Sequence, residues 1–228
     1  MNNKIHTLTK CLLCTAVLAS SSSWADDNRF YETAHERTYE VSFTNLSPGQ
    51  PMAPLMVASH RSGLSFFKAG EAPSDELASL AEAGNGAPMA EKLLKMPHFT
   101  TAVVGDSGTP PGGSSTVLIH AKKNDHLSLG AMLGNTNDAF VALTDVDLPK
   151  GRQTVTYRAS AYDAGTETND ESCATVPGPA CGGEALSPYD DGEGFVHIHN
   201  GIHGIGGLVA AEHDWRNPVA TVTIKRVR

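Results

Sequence analysis

The chain has 228 residues, with 17 Lys and Arg against 25 Asp and Glu and a formal net charge of −8. An acidic surface of this kind repels nucleic acid and anionic lipid and attracts cations, so those two partner classes drop out of consideration first. The length suits one all-β domain with a sizeable core, or two very small domains.

At the start, Lys4 and Lys10 precede an apolar run from Cys11 to Ala19, which Ser20 to Ser23 interrupt before Trp24 and Ala25. A basic opening, a short apolar centre and the small-x-small exit Ser23-Trp24-Ala25 make the pattern of a secretory signal peptide over residues 1–25. A membrane-spanning helix needs about 20 apolar residues, more than this run supplies, and no later stretch is apolar enough to cross. Cleavage after Ala25 leaves 26–228 as a domain exported to the periplasm or beyond. It also removes Cys11 and Cys14, so Cys173 and Cys181 remain in an oxidising compartment, where they are expected to pair around the Pro177-Gly178-Pro179 turn. Closing so short a loop stabilises by roughly 2.5 kcal/mol, which pins a local segment without holding the fold together.

Next comes Thr38-Tyr39-Glu40-Val41-Ser42-Phe43-Thr44-Asn45, whose period of two reads as a half-buried strand ended by Pro48, Gly49 and Pro51. Further strands are expected at Leu55 to Ser59, Phe99 to Val104, Ser115 to Ala121, His126 to Leu133, Ala139 to Leu143, Thr154 to Ala161, Gly194 to His199 and Val219 to Val227. So many short strands separated by turns imply a sandwich or a barrel. The exception is early: Ser74 can cap a helix, Asp75 and Glu76 suit its first turn, Leu77, Leu80 and Ala81 repeat at helical spacing, and Gly84 stops it. A second short helix is expected over Pro88 to Lys95. From Thr166 to Gly194 the chain is rich in Gly, Pro, Asp and Glu, the composition of a long functional loop.

Two segments place carboxylates at strand mouths: Asn135-Thr136-Asn137-Asp138 before Phe140-Val141-Ala142-Leu143, and Asp163-Ala164-Gly165-Thr166-Glu167 after the Thr154 strand. Oxygen donors gathered from loops at one end of a sandwich suit a hard cation such as calcium better than zinc or copper. On spacing alone, Asp138 and Asp163 serve equally well as turn residues.

These segments, taken with Tyr39-x-Val41-x-Phe43, Ser59-His60, Phe67-x-x-Gly70, Leu77-Ala78, Glu82-x-Gly84, Pro111-Gly112 and Leu127-Ser128, resemble the spondin N-terminal domain from Tyr39 to about Asp170. That family includes F-spondin and mindin, matrix proteins with an antiparallel β-sandwich that binds calcium and takes part in adhesion. The resemblance implies an all-β antiparallel sandwich of about eight strands with one or two short helices in its connections. It also implies that Asp138, Asp163 and Glu167 are calcium ligands, the first matching the Asp of the family's Ser-Pro-Asp-Trp element and the others its Asp-Ala-Gly-Thr-Asp element. The match has departures: Thr136-Asn137 replace Ser-Pro, Ala139 replaces Trp, and Glu167 replaces Asp, lengthening that ligand arm by one methylene.

A rival constellation is Val196-His197-Ile198-His199-Asn200-Gly201-Ile202-His203, followed by His213. On a strand, His197 and His199 share a face and could hold a transition metal with His203 or His213 folding back, although two ligands alone do not make a site. Solvated histidines on a polar strand face are the plainer reading. Gly105-Asp106-Ser107-Gly108 lacks the His and Asp context of a serine nucleophile, and Asp190-Asp191-Gly192-Glu193 reads as a solvated turn without EF-hand spacing. The expected function is therefore a non-catalytic, monomeric, exported calcium-binding module that contacts an envelope or extracellular protein or a carbohydrate. The alternative is a periplasmic copper or zinc binder, or a metal-dependent hydrolase, built on His197, His199 and His203.

Overall fold

The computed structural model describes residues 36–186 and 192–228. The expected signal peptide, with Cys11 and Cys14, and the Asp190-Asp191 pair lie outside the described residues.

Nine antiparallel strands are joined by short helices: β1 Glu36–Asn45, β2 Met56–Arg61, α1 Asp75–Ala83, α2 Ala87–Lys95, β3 Phe99–Val104, β4 Ser114–Lys122, β5 Asp125–Met132, β6 Ala139–Asp147, β7 Thr154–Asp163, β8 His197–Ile198, α3 Ala210–His213 and β9 Ala220–Arg226. The strand order is β3-β2-β5-β6-β7-β9-β1-β4, with β8 added to β7. The first half of β7, Thr154 to Ala159, pairs with β9, and its second half pairs with β6, so this strand passes from one sheet of the sandwich to the other. At the crossing the Ala161 N–H is taken by the Asn217 side chain at 2.8 Å, which satisfies a donor the changing ladder would otherwise strand. Ser59 Oγ donates to the His120 carbonyl at 2.7 Å and ties β2 to β4, so the sheet nearly closes.

Strand β1 alternates as its period requires. Tyr39, Val41 and Phe43 point into the core, while outward Ser42 and Thr44 meet Thr116 and Ser114 across the β1/β4 ladder at 3.3 and 2.8 Å. In contrast, β2, β5 and β6 are buried on both faces. One face joins the inter-sheet core through Val57, Leu127, Leu129 and Val141, and the other packs Met56, Ala58, Phe140 and Ala142 beneath α1 and α2 through Leu77, Leu80, Met89 and Leu93. This double burial explains why the sequence there is a continuous apolar run. Helix α1 is closed by the Ser74 cap and by Gly84 in the left-handed region at φ 63°, where a side chain on another residue would be strained. The order positions the functional end, because the start of β6 and the end of β7 lie side by side with Ala139 opposite Asp163.

The strand expected over Gly194 to His199 is real but short. Only His197–Ile198 pairs with β7, because Gly194 and Phe195 are occupied in docking against Gly165. Helix α3 was not foreseen, and its four residues carry no periodic signal.

Phe140 is buried edge-on against Phe67 and stacked on Tyr162, with ring centroids 5.0 and 5.8 Å away. Phe140→Ala is expected to cost about 3–5 kcal/mol in denaturant unfolding, whereas Leu118→Ala, at a site 59% exposed, stays within about 0.5 kcal/mol.

Candidate metal centre

Asp138 is 0% exposed, Asp163 1% and Glu167 0%, although each is an ionisable residue. Such burial is rare unless the charge is compensated. The turn before β6 fixes Asp138. Thr136 Oγ1 donates to the Leu133 carbonyl at 2.6 Å and accepts from the Ala139 amide at 3.1 Å, which closes a tight loop. Asn137 Nδ2 donates to Asp170 Oδ1 and Thr175 Oγ1 at 3.2 and 3.0 Å, tying that turn to the long loop after β7. Asn135 Oδ1 accepts from the Ala180 amide at 3.0 Å, which anchors the loop closed by the Cys173–Cys181 disulfide.

The loop after β7 wraps over Asp138. Asp138 Oδ2 accepts from Thr166 N at 2.7 Å, Thr166 Oγ1 at 3.1 Å and Glu167 N at 3.1 Å. Its other oxygen, Oδ1, is buried with no hydrogen-bond partner. Gly165 makes the wrap possible: at φ 69°, an added Cβ would lie 2.4 Å from the Phe195 carbonyl oxygen. Asp163 Oδ1 accepts from Gly165 N at 2.8 Å, and Oδ2 from Asn169 Nδ2 at 2.7 Å.

Asp138 and Asp163 thus lie at one end of the sandwich, Asp138 held by the Thr166 and Glu167 amides and Asp163 by the Gly165 amide, and Glu167 is buried in the same loop. Burial first, and then the charge of Asp163, push the Asp138 carboxyl up to about 7. Burial likewise raises Asp163. Among the described residues no Lys or Arg forms an ion pair with either group, and the cationic candidates beside Asp163 are His197 and His199.

The histidines divide. His197 Nε2 faces Asp163 Oδ1 at 3.6 Å and Glu193 Oε2 at 3.7 Å. His199 is buried, and both its ring nitrogens are engaged: Nδ1 accepts from Gly201 N at 2.9 Å, so the proton sits on Nε2 and is given to Asn169 Oδ1 at 3.1 Å. Burial, then the His197 charge, lower the His199 ring to about 4. Ligation by His199 would break one of those bonds. His203 reaches the centre through its backbone, donating its amide to Glu171 Oε1 at 2.6 Å, and His213 stands apart beside Gly49. The rival trio of His197, His199 and His203 is therefore not a preformed set of ring ligands.

Three further residues border this end that the sequence alone did not assign to a site. Glu193, read there as part of a solvated turn, is only 38% exposed at its side chain and faces His197. Its approach depends on Gly192 and Gly194, the first of which lies against the Thr166–Glu167 backbone. Glycines flanking an acidic residue were the available signal of a close backbone approach. Asn169 orients Asp163, and buried Glu171 accepts three successive amides from His203, Gly204 and Ile205 at 2.6, 2.7 and 3.0 Å. Together these side chains border a polar cavity of about 160 Å³ lined by Thr136, Asn137, Asp163, Asn169, Glu171, Glu193, His199 and His203 among others. A buried Ser128–His60 contact at 2.7 Å lies elsewhere, sealed from any substrate.

The fold is thus a disulfide-pinned antiparallel sandwich with buried carboxylates at one end. The sequence profile of the Spondin_N family matches residues 27–176, and the chain belongs to that spondin N-terminal family. Such domains are in general recognition modules and not enzymes. Among curated proteins no relative matches the chain. Among the described residues no helix is long and apolar enough to cross a membrane.

The depressed His199 value gives a direct check. Since its folded pKa lies below the ordinary 6.5, neutral His199 contributes stability that is present above that value and lost as pH falls towards about 4. Histidine NMR in chelator is expected to show the His199 ring titrating near 4, with His197, which its carbonyl and carboxylate neighbours raise against the effect of burial, titrating above the ordinary value. A midpoint near 6.5 for His199 would contradict the hydrogen-bonding assigned to it.

Proposed function

We propose that this protein is an exported, non-catalytic recognition module whose loops are ordered by calcium held by Asp138, Asp163 and Glu167. The observation that carries the reading is the buried Asp138 Oδ1, which lacks a hydrogen-bond partner beside a second buried carboxylate. A hard divalent cation satisfies such an oxygen and neutralises the repulsion at once, and the donor set is oxygen only, as calcium prefers. Carbonyls or waters supply the rest of the roughly six to eight oxygens calcium takes.

Calcium's chemical contribution is cross-linking. The turn before β6 and the loop after β7 are separate in sequence, and an ion between them fixes the rim around the polar cavity. A rim of fixed shape and charge can then recognise an envelope or extracellular protein, or a carbohydrate, in the manner expected of an adhesive module. Export through the segment 1–25 and pairing of Cys173 with Cys181 fit that setting.

Calcium at about 100 times its Kd is expected to stabilise the fold by about 2.7 kcal/mol, a rise of about 5–10 °C in Tm. In Asp163→Ala the calcium-dependent shift disappears while magnesium, tested in parallel, gives little in either protein. An unchanged calcium shift in that variant would refute the assignment.

A further inference from the structure

We propose that Asp163, Glu193 and His197 form a second metal site, for a borderline divalent transition ion of the zinc class. The inference does not rest on the calcium reading, although Asp163 takes part in both. Its first support is distance. A direct N–H···O bond spans about 2.7–3.2 Å, yet His197 Nε2 stands 3.6 Å from Asp163 Oδ1 and 3.7 Å from Glu193 Oε2. Those separations are too long for hydrogen bonds. In a tetrahedral zinc site with bonds of about 2.0–2.1 Å, neighbouring ligand atoms lie about 3.4 Å apart. The ligand atoms of the trio all lie within 4.8 Å of one another, so small side-chain rotations close the site.

The second support is orientation. His197 Nδ1 lies 3.0 Å from the Ile198 carbonyl, which places the proton there and leaves the Nε2 lone pair aimed at the carboxylates. That Nε2 atom is buried without a hydrogen-bond partner. Asn169 Nδ2 donates to Asp163 Oδ2 at 2.7 Å and to Glu193 Oε1 at 3.3 Å, so one amide holds the far oxygen of each acid and turns Oδ1 and Oε2 towards the imidazole. His199 Nε2 in turn fixes the amide through Asn169 Oδ1. This is the outer support that metal-bound histidines and carboxylates need, and it explains why buried His199 is kept neutral without being a ligand.

The third support is composition. One imidazole with two carboxylates suits zinc better than calcium, and three protein ligands leave a fourth position open. Asp163 and Glu193 also line the polar cavity, which has room there for water or for a donor atom of a bound molecule. Glu193 and His197 lie beyond residue 176, where the family match ends, so that match does not itself assign them a role.

The test uses untagged, chelator-stripped full protein, titrated calorimetrically with zinc in saturating calcium. Wild type is expected to take one zinc equivalent, with the His197 ring resonances shifting and those of His199 keeping their hydrogen-bonded pattern. His197→Ala and Glu193→Gln are each expected to weaken zinc by more than about 100-fold, beyond what loss of an outer-shell partner causes, while the calcium-dependent melting shift survives. Glu193 is partly exposed, so its conservative variant keeps the experiment informative if the histidine variant folds poorly. Failure of wild type to bind zinc, or zinc affinity unchanged from wild type in the two variants, overturns the proposal and leaves His197 as an ion-paired imidazolium. Loss of calcium stabilisation in wild type would instead strike the calcium reading alone.

Discussion

Two buried carboxylates on adjoining strands govern this end of the molecule. Asp163 closes β7 opposite Ala139, and Asp138 immediately precedes Ala139, so the backbone pairing of β6 with β7 brings the acids together. Withdrawal from water disfavours the charged form of both groups, and at Asp138 the charge of Asp163 adds to it, which is why both are pushed up from their ordinary range. Three donors from Thr166 and Glu167 stabilise one oxygen of Asp138 and leave the other bare. An arrangement that satisfies one oxygen and strands its twin is costly without a cation and favourable with one.

Around that pair the long loop after β7 is organised by internal polar contacts and not by an apolar core. Asn137, Asn169 and Glu171 tie it to the β6 turn, to Asp163 and to the 203–205 backbone, and the disulfide closes the segment that Asn135 anchors. Glu171 itself shows the same economy of charge: its buried carboxylate meets three aligned amides, an anion held by backbone dipoles. Loops fixed in this way can present a defined surface without adding strands to the sandwich.

The strands were legible because β1 alternates and β5 and β6 run apolar between turns, and helix α1 was legible because Ser74 and Gly84 mark its ends. The Asp138 and Asp163 elements stood out as oxygen donors at strand mouths, but only the family resemblance favoured an ion over a turn, since an Asp that starts a turn and an Asp that meets an ion have the same local sequence. What could not be read was tertiary. The glycines beside Glu193 signal a close backbone approach, but they do not foretell that Gly165 at positive φ lets Phe195 dock and so delivers that acid to His197. Nor does the His197-Ile198-His199 run reveal that one imidazole faces acids while its neighbour is consumed by Gly201 and Asn169.

The most direct measurement of the central claim is the unfolding free energy of Asp138→Asn in chelator across pH. Asparagine keeps an oxygen for the Thr166 and Glu167 donors and removes the charge. Because the folded Asp138 holds its proton to about 7, ionising it burdens wild type as pH rises above the unfolded value of about 3.9, by at most about 4 kcal/mol. The account predicts that the variant exceeds wild type in stability at pH 8, that the gain shrinks towards pH 4, and that added calcium stabilises wild type alone. A variant less stable than wild type at pH 8 without calcium would contradict it.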